Sequence, residues 1–591
     1  MLLFGADAYS QVGIPDSARP GAARPDEVDQ TAAPGEDSVT ELPIPRMIER
    51  PIEVDEPPYV IVREFRLIDA EDMPDYKISI AEIQDILQGL IDEKPNGFSI
   101  GQLQEVASEV TAYYRDRELI LAQAVVPVQT VNDGIVDIQV MPGLLGDVYA
   151  EGNAIYSEEI LKEPFRKLIG KPVTNAAIES ALLALTDFPG LTVFGVFQPG
   201  KIVGEADIVL NVQDEKRLEM AYRVDNHGVQ ETGLYRFRPR FQWNNVTGAA
   251  DNLQMLMQKA YHPKNNSFYS IRYNRYMTHG FNVDLYWDKN EFDVGGDLKD
   301  SQIRGLTKTM GASLTKRWMR SRFFNLYSSL DLARKESITT TRGNPTNRDA
   351  LTVLTGSISF DHVDRRFKGI NSGEISYSRG FDNFMGAMGD AQQAESLRGT
   401  GRTPSVEGRG SVFAEGIFNK FNLNLTRLQT ITTDLTMQLK AEYQWTDDLL
   451  VPLEQYSVGG PDNLRAYPSG QHLMDRALFT SVELIQNMPF ITDRVAFGNR
   501  TWGELVAFTF FYDFARGRLV RPFSEDDEGY DYFMGAGVQA TFQLPGALET
   551  RFIASWAIDA GLGRDSKGAD DPTIPDNGKV PQIWGDLTYR F

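Results

Sequence analysis

Two stretches of the chain set a cation against an anion in a pattern that could hold a chain segment in place. The first, Gly459-Gly460-Pro461-Asp462-Asn463-Leu464-Arg465-Ala466-Tyr467, lies in a long connector; the second, Phe511-Tyr512-Asp513-Phe514-Ala515, lies on a segment of alternating polarity. On that segment Phe508, Phe510, Tyr512 and Phe514 share one parity, so the Asp513 carboxylate projects from the other face. If the sheet is closed, that face is its interior. There a poorly screened carboxylate favours a cation, and the planar fork of Arg can occupy both of its oxygens. Arg465, on a connector long enough to fold inward, is the candidate partner. The plainer alternative is a solvated outer loop and an unpaired interior acid.

Other chemistry is absent from the sequence pattern. The histidines His227, His262, His279, His362 and His472 are scattered, with no pair at metal-ligand spacing and no HExxH. Ser313-Leu314-Thr315-Lys316 matches S-x-x-K and Gly535-Ala536-Gly537 could begin a dinucleotide motif. Both lie inside alternating segments, away from the helix start or strand-to-helix turn that either motif requires. We therefore expect no enzyme and no cofactor.

The elements that carry the two stretches come from parity. Tyr235, Phe237, Phe241 and Trp243 alternate with Arg236, Arg238, Arg240 and Gln242, and Leu435, Met437, Leu439, Ala441, Tyr443 and Trp445 alternate with Thr436, Gln438, Lys440, Glu442 and Gln444. A soluble sandwich also alternates, but its strands are nearer five or six residues. These runs reach the length of about 9–11 residues that spans a bilayer, with aromatic residues near their ends. The pattern predicts an antiparallel transmembrane β-barrel over 216–591 with sixteen strands. Its long connectors, at 334–349, 383–409, 446–475, 516–530 and 560–580, all fall on one side. The segment 489–502 breaks that asymmetry, being long on the side of short turns. The last strand presents Ile583, Gly585, Leu587, Tyr589 and Phe591 on one parity, and a terminal aromatic there is similar to the signal that directs barrels to insertion.

Before the barrel the same order of elements occurs twice. A strand at 59–67, helices at 79–91 and 100–116, and strands at 121–128 and 134–141 joined through Asn132-Asp133-Gly134 make one βααββ unit over 58–143. Residues 146–152, 157–169, 174–187, 191–197 and 205–213 repeat it over 144–215. Residues 1–57 are rich in Pro and acids and read as an extended linker. Within them MLLFGADAYS reads as the remnant of an export signal, with ordinary terminal chain as the alternative.

Composition bounds the partners. With 59 Lys and Arg against 82 Asp and Glu the net charge is −23, which argues against nucleic acid, and the absence of Cys removes disulfides and thiolate sites. Mean hydropathy is negative because half of each barrel strand faces water.

Taken together, residues 58–591 resemble the two-partner secretion transporters, the haemolysin secretion/activation proteins of the outer-membrane assembly and secretion superfamily. The resemblance rests on two POTRA modules (the βααββ units), a sixteen-stranded barrel, Gly459 to Tyr467 and Asp513. In that family the sixth outer loop carries a V/I-R-G-Y/F motif whose Arg contacts the Asp of an F-x-D-x-G strand. Arg465, Tyr467, Phe511 and Asp513 match; Ala466 and Ala515 stand where the family has Gly, and Ala lacks the easy positive φ of Gly. What the resemblance implies is export of a large, β-rich exoprotein from periplasm to cell surface without ATP, captured on a POTRA sheet edge at 121–128 or 191–197. It also implies outer-membrane lipid and the barrel-assembly machinery as partners. The Arg236, Arg238 and Arg240 row would suit an extended polypeptide inside the barrel. An insertase of the same superfamily and a passive porin are the competing readings.

Overall fold

A computed structural model describes Arg19 and residues 57–261, 265–402, 412–521, 529–561 and 580–591. Apart from Arg19 and Pro57, the expected linker and export-signal remnant lie outside these residues, as do His262, residues 403–409 and 522–528 of the connectors at 383–409 and 516–530, and most of the connector at 560–580.

In the first module, strand β1 (Glu64–Ile68), helices α1 (Ile80–Glu93) and α2 (Ile100–Asp116), and strands β2 (Gln123–Val125) and β3 (Ile135–Met141) form a sheet of order β1-β3-β2 under two helices. β1 runs parallel to β3 and β2 antiparallel to it. The i, i+4 pair Ile83 and Leu87 turns one face of α1 into a core shared with Phe65, Phe98, Val136 and Ile138. Ser99 starts α2 with a capping box, its Oγ accepting from Gln102 N and its N–H donating to Gln102 Oε1, both at 3.1 Å. Asp133 and Gly134 both have positive φ, 56° and 76°, as a two-residue primed hairpin turn needs.

The second module repeats this order: β4 (Leu144–Glu151), α3 (Glu158–Lys162), α4 (Asn175–Thr186), β5 (Leu191–Pro199) and β6 (Glu205–Glu215), with sheet order β4-β6-β5. The helix expected over 157–169 stops at Lys162 and passes into a 3-10 turn, Glu163–Phe165. Pro164 is the cause, since it has no N–H to continue the ladder. In both modules the strand expected as a docking edge, β2 or β5, does lie at an edge of its sheet.

The barrel is separate. Its strands are β7 (Leu218–Asp225), β8 (Arg236–Asn244), β9 (Asp251–Ala260), β10 (Asn266–Met277), β11 (Phe281–Asp293), β12 (Ile303–Arg320), β13 (Phe324–Thr341), β14 (Asn344–Asp364), β15 (Gly369–Phe381), β16 (Asn419–Thr430), β17 (Leu435–Trp445), β18 (Arg476–Asn487), β19 (Val506–Arg518), β20 (Asp531–Leu544), β21 (Leu548–Gly561) and β22 (Gln582–Arg590). Every neighbouring pair is antiparallel, and β22 closes on β7 with Tyr589 opposite Tyr222 and Asp586 opposite Asp225. Closure removes the free edges that an open sheet would leave unpaired in lipid. Among the described residues no helix is long and apolar enough to cross a membrane.

One expected loop is strand. Residues 334–349 continue β13 and β14, which run 18 and 21 residues and meet at Arg342-Gly343, with φ of 51° and 79°. At about 3.3 Å per residue, 21 residues are roughly twice what a bilayer needs, so this hairpin stands beyond it. The stretch Ser337-Ile338-Thr339-Thr340-Thr341 is rich in β-branched residues, which favour the pleated ladder over a loop. The irregular connector at 489–502 contains a small ribbon, Val495–Phe497 with Arg500–Thr501.

Candidate functional site: a loop pinned inside the barrel

Parity on β19 decides which side chains line the interior. Phe510 is 57% exposed on the outer surface, while Phe511 and Asp513 are buried at 4% and 0%. The connector 446–475, sixth on its side, folds into the lumen. It is braced by a short ribbon, Tyr456–Val458 with His472–Met474. Gly459 and Gly460 follow with φ of 101° and 120°, and Gly460 N–H donates to the Tyr467 carbonyl at 3.0 Å, which closes the tip back on itself. The tip carries Arg465 to Asp513: Nε donates to Oδ2 at 2.9 Å, Nη2 to Oδ1 at 2.7 Å, and the Arg465 backbone N–H to Oδ2 at 3.1 Å. Glu483 on β18 adds a second carboxylate 2.8 Å from Nη2, Ser481 Oγ bonds both partners, and the guanidinium lies 3.5 Å over the Phe511 ring. Two donors from the strands beyond β20, Trp584 Nε1 of β22 at 2.7 Å and Ser555 Oγ of β21 at 2.6 Å, bind the Arg465 carbonyl. Tyr467 is buried edge-on to Phe533, with Leu464 and Ala466 in the same apolar cluster.

Further ionic contacts hold the loop, none of them expected from the sequence. Glu454, at its outer base, sits between Lys335 of β13 (2.6 Å) and Lys420 of β16 (2.8 Å). Asp462 accepts from Arg551 of β21 at 2.6 Å; Arg551 also binds Asp586 of β22 at 2.9 Å, and Asp586 lies 3.2 Å from His227. The row expected to offer positive charge to a passing polypeptide is partly neutralised instead. Asp225 lies opposite Arg236 in register and takes Arg236 Nε at 2.7 Å and Arg238 Nη2 at 2.6 Å. Both partners could be found in the sequence, Asp225 by its inward parity and Glu454 by its place in the same connector as Arg465. Among the described residues no group of His, Cys, Asp and Glu could hold a metal ion.

The profile of the family described as haemolysin secretion/activation protein ShlB/FhaC/HecB matches residues 204–495, and that of the POTRA domain, ShlB-type, matches residues 76–143. The chain belongs to this family of outer-membrane transporters. It is 22% identical over 496 residues to the heme/hemopexin transporter protein HuxB of Haemophilus influenzae, covering 82% of this chain and 80% of that protein. CdiB from Escherichia coli has the same fold, with a TM-score of 0.67 at 17% identity over 98% of this chain and 96% of that one. CdiB from Acinetobacter baumannii gives 0.60 at 15% identity over 94% and 95%. The barrel of this transporter therefore lies in the outer membrane with its N-terminal POTRA domains in the periplasm. The chain reaches β7 from that side, so the turns after β8, β10, β12, β14, β16, β18 and β20 are periplasmic and loop 446–475 descends from the cell surface.

The two alanines that replace family glycines are accommodated. Neither Ala466 nor Ala515 is among the residues with positive φ, so the backbone at both places suits any side chain. The room for Ala466 comes from the strand next to β19: Gly535 of β20 lies opposite Asp513 in register, and a Cβ added there would approach the Ala466 Cβ to 2.5 Å. At Gly459 the backbone leaves no such latitude, since an added Cβ would meet the Pro468 carbonyl oxygen at 2.1 Å, whereas at Gly460 the nearest atom is the movable Ser469 Oγ at 3.1 Å. Gly459→Ala is expected to cost the loop more than the roughly 1–3 kcal/mol of positive φ alone, and Gly460→Ala only that much. Protease nicking of 446–475 in intact cells should rise more in Gly459→Ala than in Gly460→Ala. Tyr589 and Phe591 stand outward at the barrel's closing seam, with Phe591 5.3 Å from the Tyr222 ring.

Proposed function

We propose that the transporter captures an unfolded, β-rich exoprotein on a POTRA sheet edge and passes it through the barrel to the cell surface, with loop 446–475 as the element that occupies or guides that path. The observation that carries this reading is the pinned loop, held inside the lumen by the buried Arg465–Asp513 pair where a passing chain would meet it. Capture would be by β-augmentation, in which main-chain hydrogen bonds hold an added strand regardless of its sequence. β5, with nine residues, offers a longer unpaired edge than the three of β2, and is the preferred strand. No nucleotide motif occurs in the chain, and folding of the exoprotein outside would draw the mobile chain outward. Tyr589 and Phe591 serve recognition by the barrel-assembly machinery during the transporter's own insertion.

Photo-crosslinking in cells tests the route. A crosslinking residue at Thr192 or Gln198 of β5, and separately at the lumenal Gln438 of β17, should each give an adduct with exoprotein in transit. Outward-facing Phe510 should give none. Intact surface release with no adduct at β5 would rule out edge capture there, and release with no adduct at Gln438 would rule out passage through the lumen.

A further inference from the structure

A chain with a net charge of −23 gathers cations at one place on its periplasmic rim. The turn from β12 to β13 is flanked by Lys316, Arg317, Arg320 and Arg322, and the turn from β14 to β15 consists of Arg365-Arg366-Phe367-Lys368. The two turns are neighbours, because β13 and β14 pair with Phe324 opposite His362. Arg365 joins them by laying its guanidinium 3.3 Å over the Phe323 ring, and Lys316 lies 4.3 Å over Phe281. Asp364 places one carboxylate here, 3.4 Å from Arg427 of β16.

Position relative to the bilayer distinguishes this cluster from an ordinary solvated turn. Trp318, Phe323 and Phe367 are 63%, 37% and 59% exposed among the cations, the aromatic composition of a membrane–water interface. Just above them the outer wall of the barrel is indented. Phe360 and Leu425 close over Gly373, where an added Cβ would fall within 3 Å of both. The groove beside them, about 480 Å³, is lined by Phe324, Phe360, His362, Asn371, Leu425 and Arg427. It is apolar along its length, with Arg427 and His362 near the rim.

We propose that this rim is a binding site for anionic glycerophospholipid of the periplasmic leaflet, its phosphate and headgroup on Arg365, Arg366, Lys368 and Arg427 and part of an acyl chain in the groove along Phe324, Phe360 and Leu425. Basic pockets of this kind attract anionic headgroups, with each Lys or Arg near the surface contributing on the order of a fivefold gain in association. An acidic segment of the exoprotein would match the charge but not the place, since a soluble polypeptide has no access to a groove on the lipid-facing wall.

The test uses the full-length transporter, extracted in detergent and offered equal amounts of dioleoyl phosphatidylglycerol and dioleoyl phosphatidylcholine, with retained lipid counted by native mass spectrometry. Wild type should retain the anionic lipid at least about fivefold over the zwitterionic one. Combined Arg365→Gln, Arg366→Gln and Lys368→Gln should bring the two close to parity, while Lys299→Gln with Arg342→Gln on the outer rim should leave the preference intact. Heat-modifiable migration reports that each barrel is folded, and Arg427→Gln alone replaces the triple variant if that fails to assemble. Equal retention by wild type, or undiminished preference in the periplasmic variants, would overturn the proposal. So would soluble polyglutamate that binds the rim in the absence of any lipid preference, which would assign the cluster to a polypeptide.

Discussion

Arg465→Ala is expected to lower surface release of the exoprotein at least about tenfold while the barrel still assembles, and Asp513→Asn is expected to do less. The asymmetry follows from the count of charges around the guanidinium. Arg465 stands between Asp513 and Glu483, so its removal leaves two carboxylates in a buried site without a cation. Loss of one partner of a buried pair typically costs about 3–5 kcal/mol, mostly as the penalty of the charge left behind. In Asp513→Asn the guanidinium keeps Glu483 at 2.8 Å, Ser481 Oγ at 2.9 Å and the face of Phe511. The Arg465 carbonyl also keeps Trp584 and Ser555, so the tip is loosened on one side only. Surface release and heat-modifiability, measured together on both variants, separate the outcomes. Normal release from Arg465→Ala would sink a transport role for the pair, and loss of the folded barrel would make the pair structural.

What could be read from the sequence was whatever depends on local periodicity. Alternation of Phe508, Phe510 and Tyr512 with Asp513 put the carboxylate inside, and the sixteen segments follow from the same period of two. The βααββ order of the two modules rested on helical spacing in 79–91 and 100–116 and on Asn132-Asp133-Gly134. What escaped depends on where around the cylinder a residue points. Parity assigns Lys335, Lys420 and Arg551 to the interior, but only closure of the barrel brings β13 and β16 to Glu454 and β21 to Asp462. Lys335 was hidden further by the expectation of a loop at 334–349, which came from holding strands to bilayer length where β13 and β14 outgrow it. The end of α3 was legible in Pro164 and was passed over because the apolar spacing continues beyond it. Ala466 taught the opposite lesson: the residue that seemed to threaten the motif is fitted by a glycine on another strand, Gly535, about seventy positions away in sequence.

The outer base of the loop should release in acid, and Glu454 sets the range. Burial alone would raise its carboxyl above the ordinary value, but Lys335 and Lys420 outweigh burial and hold it down at about 2. A carboxylate whose folded value is depressed stabilises the fold fully above its unfolded value, near 4.5, and loses that contribution as pH falls toward 2. The difference corresponds to something on the order of 3 kcal/mol of attachment between loop and wall at neutral pH. The hydrogen-exchange protection factor of residues 446–475 in proteoliposomes, with the intrinsic pH dependence of amide exchange divided out, should therefore be high and level above pH 4.5 and should fall steadily below it. Glu454→Gln keeps the shape of the side chain but removes the charge, and its single carbonyl oxygen can accept from only one of the two ammonium groups while its NH2 faces the other. Protection in this variant is expected to be low already at neutral pH and nearly flat across the acid range, with Arg465 and Asp513 still holding the tip. Slow exchange at neutral pH in Glu454→Gln would show that the base of the loop is held by packing against Leu449, Leu450 and Val451 and not by the two lysines.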